Sequence, residues 1–218
     1  MKHSFYLQDT NIERQTRLEG RQTPDPVAFA LWDRAVEMVT DVENKNLLLK
    51  AFSFARDIKY GHEGLTSDIY FAHPVRVAAL SMLSQDNPDV TIGIIGLLHN
   101  VFELSDTPAS LIADNFGNSV AEQITNLTVN REQQWDEEYK RSYYAKISAS
   151  PLSCRIVKVF DKLDNMFLLG INPDAETREK YLLEIETYIL PMMERDIPDI
   201  LTYMQDLIKD YYRLGFMG

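Results

Sequence analysis

The chain has 218 residues with a formal net charge of −11, and 45% of it is apolar. That length builds one sizeable core without calling for a second domain, and the apolar share excludes an intrinsically disordered chain. The acidic balance excludes the clustered Lys and Arg that binding to polymeric nucleic acid requires. A single cysteine, Cys154, excludes an internal disulfide and fits a reducing compartment. It sits in the apolar run Cys154-Arg155-Ile156-Val157, where a buried inert thiol is the expectation. The opening Met1-Lys2-His3-Ser4-Phe5-Tyr6 lacks the apolar core of a secretion signal, and no apolar stretch is long enough for a bilayer. The expectation is a soluble cytoplasmic protein with no membrane partner. Were such an acidic chain to handle phosphates, it would need a local positive charge, and a bound divalent cation is the usual source.

Residues 1 to about 22 are polar without sustained periodicity and are expected to form a loosely attached arm, with residues 23–218 a single all-helical domain. Thr23-Pro24-Asp25-Pro26 is a helix start, with Asp25 as the cap and Pro26 in the first turn. Phe29, Leu31, Trp32, Val36 and Val39 form the stripe of that helix, and a second runs from about Val42 to Tyr60. The stretch from Gly61 to Ala72 reads as a loop, with His73 at the cap of a helix that resumes at Pro74. Asn87-Pro88-Asp89 punctuates the chain, and an almost wholly apolar helix follows from Val90 to about Leu104, as befits a central core element. Short helices are expected on either side of Phe116-Gly117, a longer polar one from about Glu132 to Ile147, and a second strongly apolar one from Pro151 to about Leu169. From Ala175 the pattern is helical again, with Pro191 and Pro198 as kinks or breaks. Tyr203, Leu207, Tyr211, Leu214 and Phe216 make an apolar stripe near the C-terminus, read as core packing with a homo-oligomer contact as the alternative. Eight or more helices and no convincing strand make the chain all-α.

Four histidines are few enough for their positions to be informative. His99 lies in the most apolar helix, and Glu103 follows four residues later on the same face. A lone histidine in such a helix is more often a hydrogen-bonded core residue than a ligand. The second apolar helix repeats the arrangement with Asp161 and Asn165. Two greasy helices that each carry an inward polar pair imply one shared polar site, because buried polar groups need partners. His73, held beside a proline at a helix start, supplies a third element aimed from rigid backbone.

Three segments, Tyr70-Phe71-Ala72-His73-Pro74-Val75-Arg76-Val77-Ala78, Leu97-Leu98-His99-Asn100-Val101-Phe102-Glu103 and Val157-Lys158-Val159-Phe160-Asp161-Lys162-Leu163-Asp164-Asn165-Met166, together resemble successive motifs of one family. That family is the HD-type phosphohydrolases, in the branch of the RelA/SpoT hydrolase domain and the small stand-alone (p)ppGpp hydrolases. The similarity extends from about Leu47 to Leu168, in chain order. It implies a compact multi-helix HD-domain fold and one divalent metal, commonly Mn²⁺, held by His73, His99, the residue after it and Asp161. It further implies that Glu103 acts on the attacking water, that Asn165 lies close to the substrate, and that the substrate is a small phosphorylated nucleotide. His62 is a nearby candidate for a substrate-facing cation, with a loop-surface histidine as the plainer reading.

The chain departs from the pattern at several places. The Asp of the His-Asp pair is Asn100, the Asp that would follow Glu103 is Leu104, and the basic pair preceding the first motif falls on Gly64 and Leu65. An amide oxygen can still ligate, but a full charge is lost. Two unit charges about 4 Å apart interact by roughly 4 kcal/mol at an effective dielectric of 20, so with partial compensation the metal affinity should fall by roughly one to three decades. Losing a second carboxylate costs about 10²–10⁴ in rate where it moves a proton. Two functional readings follow. One is a metal-dependent phosphohydrolase in which an activated water attacks phosphorus; the other is a degenerate HD domain that binds a nucleotide or a protein partner in a regulatory role.

Overall fold

The computed structural model describes residues 7–87 and 89–214, all of it helix, turn and connecting loop, with no strand among the described residues. The all-α expectation holds. No helix among them is long and apolar enough to cross a membrane.

Helix α1 (Thr10–Glu19) occupies the segment expected as a loose arm. Asp9 caps it, accepting a hydrogen bond from the Asn11 amide, and its inward face carries Glu13, Arg14 and Arg17. A hydrophobic periodicity could not reveal this helix, because the groups it buries are charged. Arg17, 2% exposed, reaches the core and meets Asp164 of a helix 147 residues away. Residues 10–19 are therefore anchored, and the expected boundary near residue 22 is a turn inside the packed structure.

In α2 (Pro26–Glu37) the Asp25 carboxylate accepts from the Val27 and Ala28 amides, as the sequence predicts. Trp32 stacks on Phe52 of α3 (Val42–Asp57), with ring centroids 5.2 Å apart. The expected loop from Gly61 to Ala72 contains one further turn, α4 (Ser67–Tyr70), capped by Thr66. His73 then lies inside the first turn of α5 (Ala72–Leu83), whose cap is Phe71. Pro74 is tolerated there because its missing N–H falls among those that a helix start leaves unpaired.

At the centre of the fold α5 packs against both α2 and α6 (Val90–Leu98), and α3 packs against α6 as well as meeting α2 at the Trp32–Phe52 stack. Every residue of α6 but Thr91 is buried. At Gly96 a Cβ would lie 2.5 Å from the Ala78 Cα, so the absence of a side chain is what lets α5 and α6 approach this closely. The apolar run predicted as one helix to Leu104 divides at His99–Asn100, and α7 (Val101–Leu104) continues it as a separate turn. His99 explains the division. Its Nδ1 lies 2.7 Å from the Gly96 carbonyl, the acceptor that the Asn100 amide would use in an unbroken helix.

Helices α8 (Ala109–Phe116) and α9 (Asn118–Leu127) meet at Gly117, which stands at φ 93. The polar helix α10 (Glu137–Ala149) starts at the Asp136 cap, five residues later than its composition suggests. Next comes α11 (Leu152–Met166), which crosses both α5 and α6. The chain then proceeds through α12 (Ala175–Glu184), a π-turn at Ile185–Ile189 and α13 (Leu190–Asp196). Pro191 makes no break: it follows the widened turn directly, where local adjustment absorbs its missing donor. Pro198 does coincide with one, at Ile197, and opens a 3₁₀ turn before α14 (Leu201–Leu214). In α14, Leu207 and Tyr211 are buried and the Tyr203 hydroxyl donates to the Gln8 carbonyl, so this stripe packs inward. The Leu214 side chain and Phe216 lie outside the described residues.

Gly96→Ala should be costly because the added methyl meets backbone, which cannot swing aside. Overpacking of this kind costs about 1–3 kcal/mol, a melting temperature lower by roughly 2–12 °C at this chain length. An unchanged thermal transition would show that α5 and α6 do not touch at this point.

Candidate active site

Packing α5, α6 and α11 together converges their polar residues. One ligating atom from each of His73, His99 and Asp161 lies within 4.8 Å of the others. The His73 Nε2 is 3.5 Å and the His99 Nε2 3.6 Å from the Asp161 Oδ1, and the two imidazole rings are 5.2 Å apart. Each ring is held from behind. The His73 Nδ1 is 2.7 Å from Asp164 Oδ2, and the His99 Nδ1 is 2.7 Å from the Gly96 carbonyl oxygen. An acceptor at Nδ1 keeps the hydrogen there in the neutral ring, so both Nε2 lone pairs face Asp161. His99 Nε2 is buried and meets no hydrogen-bond partner among the described residues. Two oriented imidazoles, one orphaned nitrogen and a carboxylate make a donor set that fits a divalent metal of the N/O-binding class.

Asp161 is well supplied with partners. Lys158, one turn earlier on α11, donates from Nζ to its Oδ2 at 3.0 Å, and the Asn165 amide donates to its Oδ1 at 2.8 Å. Burial alone would raise the Asp161 carboxyl, but the Lys158 charge and the nearby His73 and His99 imidazoles hold it well below the usual range. Burial would likewise lower His73; hydrogen bonds to Asp161 and Asp164 and their charges carry it above its ordinary value instead.

Asp164, 2% exposed, sits behind His73. Its Oδ1 accepts from Arg17 and from the Arg76 Nε at 2.8 Å, and its Oδ2 accepts from the Arg76 Nη2 and from His73. Arg76 also donates to Asp25 Oδ2 at 2.6 Å, so the carboxylate that caps α2 joins the same network. Burial would raise Asp164, yet Arg76, Arg17 and His73 hold it well below the ordinary carboxylate range.

Asn100 caps α7 and is half-buried, with its amide nitrogen donating to the Tyr70 hydroxyl at 2.6 Å. The His62 ring stacks on the other side of Tyr70, with centroids 5.0 Å apart, and is half-buried with an unpartnered Nδ1 among the described residues. The fold thus brings His62 next to the site, but in a different state from the cation considered above. Burial lowers its imidazole, a hydrogen bond at the Glu63 backbone opposes this, and the charges of His73, Arg21 and Arg131 lower it further, so near neutral pH it is an uncharged ring. Asn165 is exposed at the end of the array, with its side chain on Asp161.

Glu103 lies one turn beyond His99, its side chain 3% exposed. The Val129 amide donates to its Oε1 at 2.9 Å, and the Arg131 guanidinium lies 2.7 Å from its Oε2. The neighbouring Leu104 packs against the core, and its carbonyl accepts from the Gly61 amide at 2.7 Å. Gly64 stands at φ 78 and Leu65 packs against the core, so these two positions bring no cation to the site.

Sequence reasoning passed over Lys158, Asp164, Arg76 and Arg131 as partners. Lys158 and Asp164 carried a usable signal: each is three residues from Asp161 on an apolar helix. Arg131 carried none, since it stands in a polar turn far from any motif.

No family model matches the chain. It is 28% identical over 149 residues to the guanosine-3′,5′-bis(diphosphate) 3′-pyrophosphohydrolase of Aquifex aeolicus, covering 67% of this chain and 21% of the relative. It is likewise 28% identical over 141 residues to the bifunctional (p)ppGpp synthase/hydrolase SpoT of Escherichia coli, covering 60% of this chain and 19% of that one. Among solved structures it resembles one described as a metazoan ortholog of SpoT that hydrolyzes ppGpp, with a TM-score of 0.60 at 19% identity over 82% of this chain and 98% of that one. The chain is related to the RelA/SpoT hydrolases. It spans about a fifth of the length of the curated relatives it matches, and its all-helical fold is that of the SpoT-type structure.

In this hydrolase-like fold Asp164→Ala should leave Arg76 and His73 buried without their counter-charge, a loss of about 3–5 kcal/mol. Asp164→Asn should change the acid limb specifically. A carboxylate with a depressed folded pKa stabilises the fold above its unfolded value, near 3.9, and that contribution is lost as pH falls through the folded value. Denaturant melts at pH 7 and pH 3 should show a smaller acid loss in Asp164→Asn than in the parent. Equal losses would remove Asp164 from the network.

Proposed function

We propose that the chain is a metal-dependent phosphohydrolase acting on a small phosphorylated nucleotide of the (p)ppGpp type, with His73, His99 and Asp161 as the metal-holding residues. The observation that carries this reading is the orphaned His99 Nε2, buried beside the His73 Nε2 and Asp161 Oδ1. The names of the relatives, pyrophosphohydrolases of guanosine-3′,5′-bis(diphosphate), supply the substrate class. Asn100 is the weak fourth ligand: with its nitrogen committed to Tyr70, it has an amide oxygen to offer. A divalent cation such as Mn²⁺, when bound, would acidify a water and neutralise phosphate oxygens.

The protein's own residues supply the remainder. Glu103 takes the proton of the attacking water; the new bond forms between that oxygen and phosphorus, and the phosphorus–oxygen bond to the nucleoside breaks. The alkoxide so released takes its proton from solvent. Asn165, exposed and hydrogen-bonded to Asp161, faces the nucleotide, and the neutral His62 ring on Tyr70 offers it a flat stacking and hydrogen-bonding surface. The net charge, which argues against a nucleic-acid polymer, is in keeping with a small-molecule substrate.

A specific observation also supports a second reading. Both site carboxylates are matched by cations of the chain itself, Asp161 by Lys158 and Glu103 by Arg131. A site so balanced is suited to a domain that binds nucleotide for regulation without turning it over.

A Mn²⁺ titration of the protein and of Asn100→Asp, each followed by an assay against ppGpp, separates the readings. The hydrolase reading expects measurable Mn²⁺ binding, at least tenfold tighter in Asn100→Asp, and turnover that needs the metal. Binding should tighten as pH rises, because the elevated His73 must lose its proton before Nε2 can ligate. Nucleotide binding at saturating Mn²⁺ with no metal uptake would instead leave the regulatory reading.

A further inference from the structure

The expected phosphate-facing cations at positions 64 and 65 are a glycine and a leucine, yet a polyanionic substrate must still be held by an acidic protein. One guanidinium is placed to do it. Arg131 stands in the turn between α9 and α10, its side chain 61% exposed, while the Glu103 carboxylate it touches is 3% exposed. It thus bridges solvent and the buried site. The turn is docked on the same carboxylate by the Val129 amide, and the rest of the guanidinium makes a long contact, 3.3 Å, from its Nη1 to the Gln134 side chain. The charge of Arg131 also acts on Asp161, Tyr70 and His62, the groups that surround the site. Lys158 cannot serve: it is buried and spent on Asp161.

We propose that Arg131 is the phosphate-recruiting residue of this chain, exchanging its Glu103 partner for a pyrophosphate group of the substrate. Resting on the hydrolase reading above, the exchange gives the ion pair a second purpose. In the free protein Arg131 neutralises a buried carboxylate; when a diphosphate arrives, the fork of donors turns to the more highly charged anion and Glu103 Oε2 is released to accept the proton of water. Substrate arrival and exposure of the base are thereby one event. A guanidinium suits this because its planar donors match phosphate oxygens in pairs, and an exposed side chain can swing without repacking the core.

The test uses inorganic pyrophosphate, titrated in the presence of Mn²⁺ against the parent protein, Arg131→Ala, Arg131→Lys and Glu103→Gln. Arg131→Ala should bind pyrophosphate roughly tenfold or more weakly, Arg131→Lys should fall between, and the Mn²⁺ affinity of neither should fall below the parent value. Glu103→Gln should bind pyrophosphate more tightly than the parent, since the competing carboxylate is gone, and a merely structural ion pair would not produce that gain. Melting curves show that each variant is folded, and Arg131→Lys carries the comparison if the alanine variant is not. Equal pyrophosphate affinity in the parent and the Arg131 variants, or none in the parent, overturns the assignment. Arg131-dependent binding without hydrolysis of ppGpp would leave the assignment standing and defeat the hydrolase reading alone.

Discussion

A buried carboxylate is tolerated only where opposite charge and hydrogen bonds surround it, and Asp164 is the point at which this fold meets that demand. Three side chains converge on its two oxygens: Arg17 from α1, through its Nε and Nη2, and from α5 both Arg76, through its Nε and Nη2, and His73. Arg76 passes the connection on to Asp25 at the start of α2, and Arg17 is paired in turn with Glu13. Helices α1, α2, α5 and α11 are therefore held in register by charge as well as by apolar packing. Removing any member exposes its neighbour as an uncompensated buried charge, which is the expensive outcome. The network also explains why the polar segment around residues 10–19 is helical and packed: it brings a cation that the core requires.

The same carboxylate sets the chemistry next door. By accepting from the His73 Nδ1 it turns the opposite nitrogen toward Asp161, while the Gly96 carbonyl does the same for His99. One local event on α6 accomplishes two tasks. Taking the Gly96 carbonyl orients the imidazole, and it also ends the helix, so that Asn100 and Glu103 project from a new turn over the site. A continuous helix would have kept His99 and Glu103 on one face, but without the Tyr70 contact that now holds Asn100.

Much of this was legible in the residues, and what was missed shares a cause. Apolar periodicity located the helices around Trp32, Leu48, Leu80, Ile95 and Val157, because each buries a hydrocarbon stripe. The inward polar pairs His99–Glu103 and Asp161–Asn165 marked the site for the converse reason. Periodicity failed at α1, where the buried face is Glu13, Arg14 and Arg17, and at the break after Leu98, which depends on a side chain competing for a backbone acceptor. Long-range ion pairs have no local signature. Nothing near Arg131 announces that it will meet a glutamate 28 positions earlier, and nothing near Arg17 announces Asp164.

Charge balance ties these parts to function. Against the pattern the sequence resembles, Asn100 stands where a negative charge would be, and the Lys158 ammonium lies 3.0 Å from Asp161. Both features lower the pull on a divalent cation, and Asp161 has Lys158, His73 and Asn165 as partners within the chain. An incoming ion or anion must therefore offer more than the internal partner it displaces. A proton on His73, the ammonium of Lys158 and the guanidinium of Arg131 are the three such partners here. On the hydrolase reading, a phosphorylated nucleotide arriving with a metal would bring both signs of charge together and could replace internal pairs with external ones at little net cost in charge separation. On the same reading, selectivity for a metal-bound polyphosphate over either component alone would follow from that balance, even with an amide in place of one expected carboxylate.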